Sequence, residues 1–311
     1  MKRYLTVDGG TTNTRIYLNA DNNVIDSIKL GMGARSCITD KEVFISLLRE
    51  SIANILNRNA LIESDISAVI ASGMITSEFG LCNLPHVVAP VGIRDLHDNM
   101  KKLNIPEICD IPFYFIPGVK TVSNDETEID MMRGEETEFF GLSNVIGENG
   151  VCILPGSHSK IIFSNGENKI DKFKTMLSGE MIFSLSQHTI LCDAVDLSIN
   201  SVDEDYLIRG YRSAQKIGIN AALFKVRILK NLLSCTPQQV YSYFCGVVLF
   251  DEIKSVISSG VKKAFIGGKK QIREATATLL RAFSECEVTV GDDLVIENCV
   301  SNGAVAIFEA K

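Results

Sequence analysis

The sequence lacks an excess of basic residues. It contains 31 Lys and Arg against 38 Asp and Glu, which gives a formal net charge of −7. Its basic clusters are short pairs, such as Lys101-Lys102, Lys262-Lys263 and Lys269-Lys270. A protein that binds nucleic acid needs a basic face to neutralise phosphates. We therefore expect no nucleic-acid partner.

Paired cysteine motifs are also missing. The nine cysteines are scattered without a Cys-x-x-Cys pair, and the chain has only four histidines. Neither a zinc site nor a disulfide framework is therefore indicated. Free cysteines of this kind are typical of a protein in a reducing compartment.

Long apolar runs are absent as well, although 46% of the residues are hydrophobic. The apolar stretches are too short to span a bilayer, and the first residues lead directly into a strand pattern. We expect no membrane association, no signal peptide and a cytoplasmic location. The 311 residues are enough for two domains with substantial cores.

The opening stretch carries the strongest local signal. An apolar run from Leu5 to Val7 ends at Asp8, and a second run covers Ile16 to Leu18. This pattern predicts a β-hairpin. The turn between the runs is rich in glycine, hydroxyl and amide groups, which together form a concave set of donors suited to phosphate: Gly9, Gly10, Thr11, Thr12 and Asn13. A carboxylate beside phosphates, here Asp8, favours Mg²⁺ held partly through water.

The rest of the chain alternates between strand and helix patterns, which predicts an α/β fold. Strands are expected at 23–29, 67–72, 112–116, 151–154, 261–266 and 287–290, and helices at 41–59, 93–103, from 135 to 142, 179–190, 203–217, 219–233, 237–258, 271–283 and 294–308.

Residues 150–163 repeat the architecture of the opening stretch. A buried strand from Val151 to Leu154 ends in a small-residue turn with hydroxyls, and a second apolar strand follows. Such a repeat indicates two related lobes. The turn offers backbone and side-chain donors at Gly156, Ser157 and His158, and Lys160 adds a positive charge for a phosphoryl group.

Three of these segments together resemble a known superfamily. Asp8 to Arg15, Leu154 to Lys160 and Phe265 to Gly268 occur in the order of the nucleotide motifs of actin, sugar kinases and heat-shock chaperone ATPases. The resemblance implies two ribonuclease H-like (actin-like ATPase) lobes with an interlobe nucleotide cleft. The expected lobes are residues 1–142 plus 294–311, which would hold the substrate and the first phosphate turn, and residues 143–293, which would bind the nucleotide.

Three short sequence strings point to one family within this superfamily. Met132-Arg-Gly-Glu-Glu-Thr137, Pro155-Gly-Ser-His-Ser-Lys160 and Ser178-Gly-Glu180 resemble the 2-dehydro-3-deoxygalactonokinases. The resemblance covers essentially the whole chain. One departure is the opening Asp-Gly-Gly, where relatives can carry Asp-Trp-Gly. The resemblance implies transfer of a phosphoryl group from ATP, with Mg²⁺, to the 6-hydroxyl of 2-dehydro-3-deoxy-D-galactonate in galactonate breakdown.

The resemblance also implies roles for individual residues. Asp8 is expected to hold Mg²⁺, and the donors already named in the two turns are expected to bind ATP together with Arg15, Gly267 and Gly268. Glu135 is the expected base, because Gly134-Glu135 fills the place of the Gly-Asp of glycerol and xylulose kinases. Glu136 is its rival, and Asp125 and Asp130 are weaker ones.

The substrate carboxylate needs a bidentate partner, which a guanidinium provides. Arg35 and Arg133 are the candidates, and Ser77 and Glu180 are expected to bind substrate hydroxyls. A kinase for another sugar acid or sugar remains an alternative, and so does a non-kinase actin-like ATPase. A homodimer is also left open.

Overall fold

We analysed a computed structural model of the chain, which describes residues 2–21, 23–147 and 149–310. Mixed α/β architecture is confirmed. The strands are β1 Arg3–Gly9, β2 Thr14–Ala20, β3 Asn23–Leu30, β4 Ala68–Gly73, β5 Val87–Val88, β6 Lys101–Ile105, β7 Cys109–Phe115, β8 Val119–Lys120, β9 Met131–Met132, β10 Val151–Leu154, β11 Ser159–Ser164, β12 Ile170–Met176, β13 Lys263–Ile266 and β14 Glu287–Val290.

The helices separate these strands in the order that an α/β fold requires. They are α1 Lys41–Arg58, α2 Ile93–Asp98, α3 Glu135–Ile146, α4 Ser178–His188, α5 Glu204–Ile217, α6 Ile219–Asn231, α7 Pro237–Val248, α8 Phe250–Ser258, α9 Lys270–Phe283 and α10 Asp293–Glu309. The predicted helix over 237–258 is therefore two helices, which meet at Leu249.

The chain divides into two compact units. One comprises Met1–Val145, Gly166–Lys172 and Leu294–Lys311, and the other comprises Ile146–Asn165 and Phe173–Asp293. Among the described residues, no helix combines the length and the hydrophobicity that crossing a bilayer requires.

The first unit is built on a six-stranded sheet with the order β3-β2-β1-β4-β7-β6. The predicted hairpin is confirmed, since β1 and β2 are antiparallel with Asp8 opposite Arg15. Strands β1, β4 and β7 run parallel, so their carboxyl ends meet at one edge of the sheet. Helix α1 covers the sheet with a face that includes Phe44, Leu48 and Ile52, all of them buried.

The second unit is built on a five-stranded sheet with the order β12-β11-β10-β13-β14, of which the first residues of β12, up to Lys172, belong to the first unit. Strands β10 and β11 form the second predicted hairpin, and β10, β13 and β14 run parallel. Each unit therefore has an antiparallel hairpin whose first strand begins a parallel set of three. A third, small sheet has the order β5-β8-β9.

One helix prediction is wrong over part of its length. The pattern at 93–103 predicts a helix, but α2 ends at Asp98, and 101–105 form strand β6. This strand lies at the sheet edge and pairs with β7, with Lys101 opposite Phe115. Pairing with β7 satisfies the backbone of these residues, and tertiary pairing of this kind overrides weak helix propensity. The exposed Lys101 and Lys102 are typical of an edge strand.

Candidate active site

In the first unit, the turn between β1 and β2 presents its polar residues to solvent. Thr11, Thr12 and Asn13 are exposed. The turn is held from behind by the segment after β3, because the backbone N–H of Ala34 donates to the Gly10 carbonyl at 2.9 Å and that of Arg35 donates to the Thr11 carbonyl at 3.3 Å. The hydroxyl and amide groups of the turn are therefore available to an external ligand.

Three glycines bring the ends of β1 and β4 against the start of α3. A Cβ added at Gly9 would lie 2.5 Å from the Cβ of Ile75, and one added at Gly73 would lie 2.9 Å from the Gly9 carbonyl oxygen. A Cβ at Gly134 would lie 3.3 Å from the Cα of Gly73. Gly73 and Gly134 also have positive φ angles of 81° and 115°. Only glycine allows this close approach at these backbone angles.

This approach brings Asp8 and Glu135 into electrostatic contact. Burial raises the pKa of Asp8 to about 6, the Arg15 guanidinium opposes that rise, and the negative charge of Glu135 adds to it. Two carboxylates at one sheet edge, beside a turn rich in donors, are suited to a divalent cation and phosphate.

Glu135 and Glu136 have different surroundings although both begin α3. The carboxylate of Glu136 is fully buried and accepts two hydrogen bonds from the Gly134 N–H, at 2.8 and 2.9 Å. Burial first, and then the charge of Glu135, raise the pKa of Glu136 to about 7. Glu135 is half-buried, and its Oε2 accepts from the Arg133 N–H at 3.1 Å. Glu135 is thus the one of the two that solvent or substrate can reach.

The weaker base candidates lie elsewhere in the first unit. Asp125 is exposed and accepts hydrogen bonds from the backbone and hydroxyl of Thr127, which lower its pKa. Asp130 precedes β9 and accepts from the Met131 N–H at 2.7 Å. A carboxylate whose pKa is lowered is a poorer proton acceptor, so Asp125 is less suited to the role of base.

The guanidinium of Arg133 forms hydrogen bonds within the protein. Its Nη1 donates to the carbonyl and the hydroxyl of Thr76 at 2.6 and 2.7 Å, and its Nη2 donates to the Leu84 carbonyl at 2.8 Å. The same guanidinium lies beside His86, whose pKa falls to about 4, first through burial and then through this charge. Arg133 therefore fixes the 74–84 loop to the residues before α3.

The other predicted substrate residues of this unit differ in access. Arg35 is exposed, and its backbone N–H donates to the Thr11 carbonyl in the turn between β1 and β2. Ser77 is 8% exposed, and its hydroxyl donates to the Met74 carbonyl at 2.6 Å. Of the two arginines, Arg35 has the freer side chain.

In the second unit, the turn between β10 and β11 has two neighbours. Because β10 and β13 are parallel, the Gly-Gly pair after β13 lies beside it: the Gly267 N–H donates to the Ile153 carbonyl and the Lys269 N–H to the Pro155 carbonyl, both at 2.8 Å. Gly268 has a φ of 66°, and a Cβ there would overlap Pro155.

The second neighbour is the start of α4. A Cβ at Gly179 would overlap the Gly156 carbonyl, and the Glu180 N–H donates to the Ser157 carbonyl at 3.1 Å. The Glu180 carboxylate lies 3.1 Å from Nε2 of His158, and both side chains are about half exposed. The structure therefore places Glu180 of α4 against the turn between β10 and β11, which is the second of the two predicted turns. Lys160, on β11, is only 4% exposed.

Comparison with known proteins decides the family. The family model described as 2-keto-3-deoxy-galactonokinase matches residues 8–307. The chain belongs to the 2-keto-3-deoxy-galactonokinase family. Membership makes it an enzyme of the kinase class, in agreement with the resemblance of its Arg-Gly-Glu-Glu-Thr and Pro-Gly-Ser-His strings.

Individual members of the 2-keto-3-deoxy-galactonokinase family are distant from this chain in sequence. The chain is 24% identical over 265 residues to a 2-dehydro-3-deoxygalactonokinase of Escherichia coli (strain K12), which covers 82% of this chain and 80% of the relative. It is 26% identical over 195 residues to a probable 2-dehydro-3-deoxygalactonokinase of Rhizobium meliloti (strain 1021), which covers 62% of this chain and 59% of the relative.

Solved structures show the same fold. A candidate 2-dehydro-3-deoxygalactonokinase from Sinorhizobium meliloti superposes with a TM-score of 0.79 at 21% identity, covering 99% of this chain and 100% of that one. A xylulose kinase from Lactobacillus acidophilus superposes with a TM-score of 0.54 at 10% identity, covering 99% and 89%.

Proposed function

We propose that the protein phosphorylates the 6-hydroxyl of 2-dehydro-3-deoxy-D-galactonate with ATP and Mg²⁺, as a step of galactonate breakdown. The observation that carries the proposal is the family match over residues 8–307. The names of the two relatives from Escherichia coli and Rhizobium meliloti support the choice of sugar acid.

The roles of the residues are part of the proposal. Asp8 holds Mg²⁺, which neutralises the charge of the phosphates. The donors of the Gly10–Asn13 turn and of the Gly156–Ser159 turn bind the phosphates, Lys160 neutralises charge on the transferred group, and the Gly267-Gly268 pair lies against the adenosine. This proposal includes two actin-like lobes, 1–142 with 294–311 and 143–293, that hold the nucleotide between them.

Glu135 is the proposed base. The 6-oxygen of the sugar acid attacks the γ-phosphorus, the bond from that phosphorus to the β-phosphate oxygen breaks, and the hydroxyl proton passes to Glu135. The accessibility of Glu135 supports this choice over the buried Glu136. Arg35 binds the substrate carboxylate, and Glu180 orients His158 in the second turn. The cytoplasmic location and the homodimer stay predictions.

The test is turnover by the purified protein with ATP and Mg²⁺. The substrates are 2-dehydro-3-deoxy-D-galactonate, the epimeric keto-deoxy sugar acid, D-galactonate and a neutral hexose. We expect kcat/KM to be highest for the first, and ³¹P–¹H correlation to place the product phosphate on C6. A higher kcat/KM for another of these compounds would identify that compound as the substrate. No turnover of any sugar acid would overturn the proposal.

A further inference from the structure

The start of α4, which packs on the turn between β10 and β11, contacts a buried carboxylate that no sequence motif marks. Glu252 lies in the first turn of α8 and is 1% exposed. Its Oε2 accepts a hydrogen bond from the Ser178 hydroxyl at 2.6 Å. Its Oε1 has no hydrogen-bond partner among the described residues. Burial raises its pKa, and the Ser178 hydroxyl, followed by that of Ser159, opposes that rise.

Both serines belong to the strings that distinguish the sequence. Ser159 follows the turn in Pro-Gly-Ser-His-Ser-Lys, and its Oγ accepts from the Gly156 N–H at 3.4 Å. Ser178 opens α4, whose next residues, Gly179 and Glu180, pack on the turn. Glu252 therefore contacts the start of α4 through Ser178, and that start packs on the turn.

An acidic residue in a first helical turn is ordinary when it is exposed to solvent. Glu252 differs because it is buried, and burying a carboxylate is costly unless hydrogen bonds compensate. Its neighbour Asp251 shows the ordinary case, since it lies in the same turn and is exposed.

We propose that Glu252 is a positioning residue for the phosphates of the nucleotide: by accepting the hydrogen bond of Ser178, it holds the start of α4 against the Gly156–Ser159 turn and so sets the conformation of that turn. The inference rests on the proposed binding of nucleotide phosphates by this turn. Glu252 itself touches neither the nucleotide nor the sugar acid.

The test compares the binding of Mg²⁺-ADP and of adenosine by titration calorimetry. Adenosine lacks phosphates, so a change in the turn affects ADP selectively. Glu252→Ala removes the acceptor, and we expect the Kd for ADP to rise about tenfold, the ratio that corresponds to one lost charge-assisted hydrogen bond. The Kd for adenosine stays unchanged. Glu252→Gln keeps one acceptor oxygen and gives a smaller rise.

Two further variants keep the test decisive if Glu252→Ala folds poorly. Ser178→Ala removes the hydroxyl that donates to the carboxylate, and we expect the Kd for ADP to rise about tenfold, as for Glu252→Ala, because the same contact is lost. The double variant Ser178→Ala with Glu252→Gln gives less than the product of the single effects, because both act through one contact. Asp251→Asn is the matched control and leaves both Kd values unchanged.

The inference is overturned if Glu252→Gln and Ser178→Ala both bind ADP like the wild type, or if the affinities for adenosine and ADP fall equally. It also fails if the wild type does not bind ADP. If the wild type binds ADP but phosphorylates no sugar acid, the proposed function fails while the variants still decide the role of Glu252.

Discussion

At the scale of single residues, burial separates two adjacent carboxylates. Glu136 is enclosed and hydrogen-bonded to the Gly134 N–H, whereas Glu135 is half-buried and close enough to Asp8 to raise its pKa. A base must reach the substrate hydroxyl, so accessibility is the property that distinguishes the two.

We therefore predict that Glu135→Gln lowers kcat by about 10²–10⁴-fold, the usual value of general-base assistance, while the KM for ATP changes little. Glu136→Gln keeps an acceptor for the Gly134 N–H, and we expect its kcat to stay within a few fold of the wild type. Steady-state kinetics at saturating ATP measure both variants. If Glu136→Gln were the inactive one, the base would have to be assigned to Glu136.

Asp8 gives a prediction about pH and stability. Its pKa is raised from 3.8 to about 6, so the folded protein binds this proton more tightly than the unfolded chain does. The free energy of unfolding therefore decreases as pH rises from about 4 to 6. At higher pH Asp8 is ionised in both states, and this loss of stability is complete. A shift of this size corresponds to at most about 3 kcal/mol.

Asp8→Asn removes this cost. We expect the variant without nucleotide to unfold at higher urea concentration than the wild type at pH 8, and the difference to shrink towards pH 5. Its Mg²⁺-dependent turnover falls sharply, because an amide lacks the carboxylate's charge. The exposed Asp171→Asn is the control for a general charge effect. A stability difference that stays constant from pH 8 to pH 5 would contradict the assigned cause.

At the scale of elements, the two candidate arginines do different work. Arg133 joins the 74–84 loop to the start of α3 through the carbonyls of Thr76 and Leu84, whereas the exposed Arg35 donates its backbone N–H to the Thr11 carbonyl in the turn between β1 and β2. One guanidinium therefore stabilises a loop, and the other is available to a ligand.

We predict that Arg35→Lys raises the KM for the sugar acid more than it lowers kcat, because carboxylate binding contributes about equally in the ground and transition states. The ratio of kcat/KM for sugar acids to kcat/KM for neutral sugars becomes smaller. Arg133→Lys instead lowers the free energy of unfolding by about 1–3 kcal/mol, since carbonyls of the loop lose their donors. Steady-state kinetics with a panel of substrates measure the first effect, and urea unfolding measures the second. If Arg133→Lys raised the KM and Arg35→Lys lowered the stability, the two roles would have to be exchanged.

At the scale of the whole molecule, both units repeat one plan. In each, a hairpin with a polar turn leads a parallel set of three strands, and the turn lies at the carboxyl edge of that set. Ligands commonly bind at this edge in α/β folds. The repeat supports the proposal of two lobes that hold one nucleotide.

If the proposal is right, ligands draw the two lobes together, as in kinases that close on their substrates. We predict a smaller radius of gyration by small-angle X-ray scattering with Mg²⁺, an ATP analogue and the sugar acid than without them. Glu135→Gln, whose kcat we expect to be about 10²–10⁴-fold lower, allows the same measurement with ATP itself. An unchanged radius at saturating ligand would count against closure.

The sequence alone determined the features that depend on neighbours in the chain. The hairpin from Leu5 to Leu18, the strand end at Leu154, the start of α3 at Glu135 and the strand before Gly267-Gly268 follow from local apolar runs and glycines, and the structure confirms these elements. The order of the motifs indicated the superfamily, and the residues of the strings at 132–137, 155–160 and 178–180 indicated the family.

Only the tertiary structure decided the features that depend on distant contacts. Glu135 and Glu136 are alike in sequence, and their difference in burial comes from the packing of α3. The partners of Arg133 are 49 and 57 residues away, and Glu252 meets Ser178 across 74 residues. Lys101–Ile105 is a strand because β7 supplies its hydrogen bonds. The free energies of burial and of backbone pairing are set by the surroundings in space, which local residue patterns do not encode.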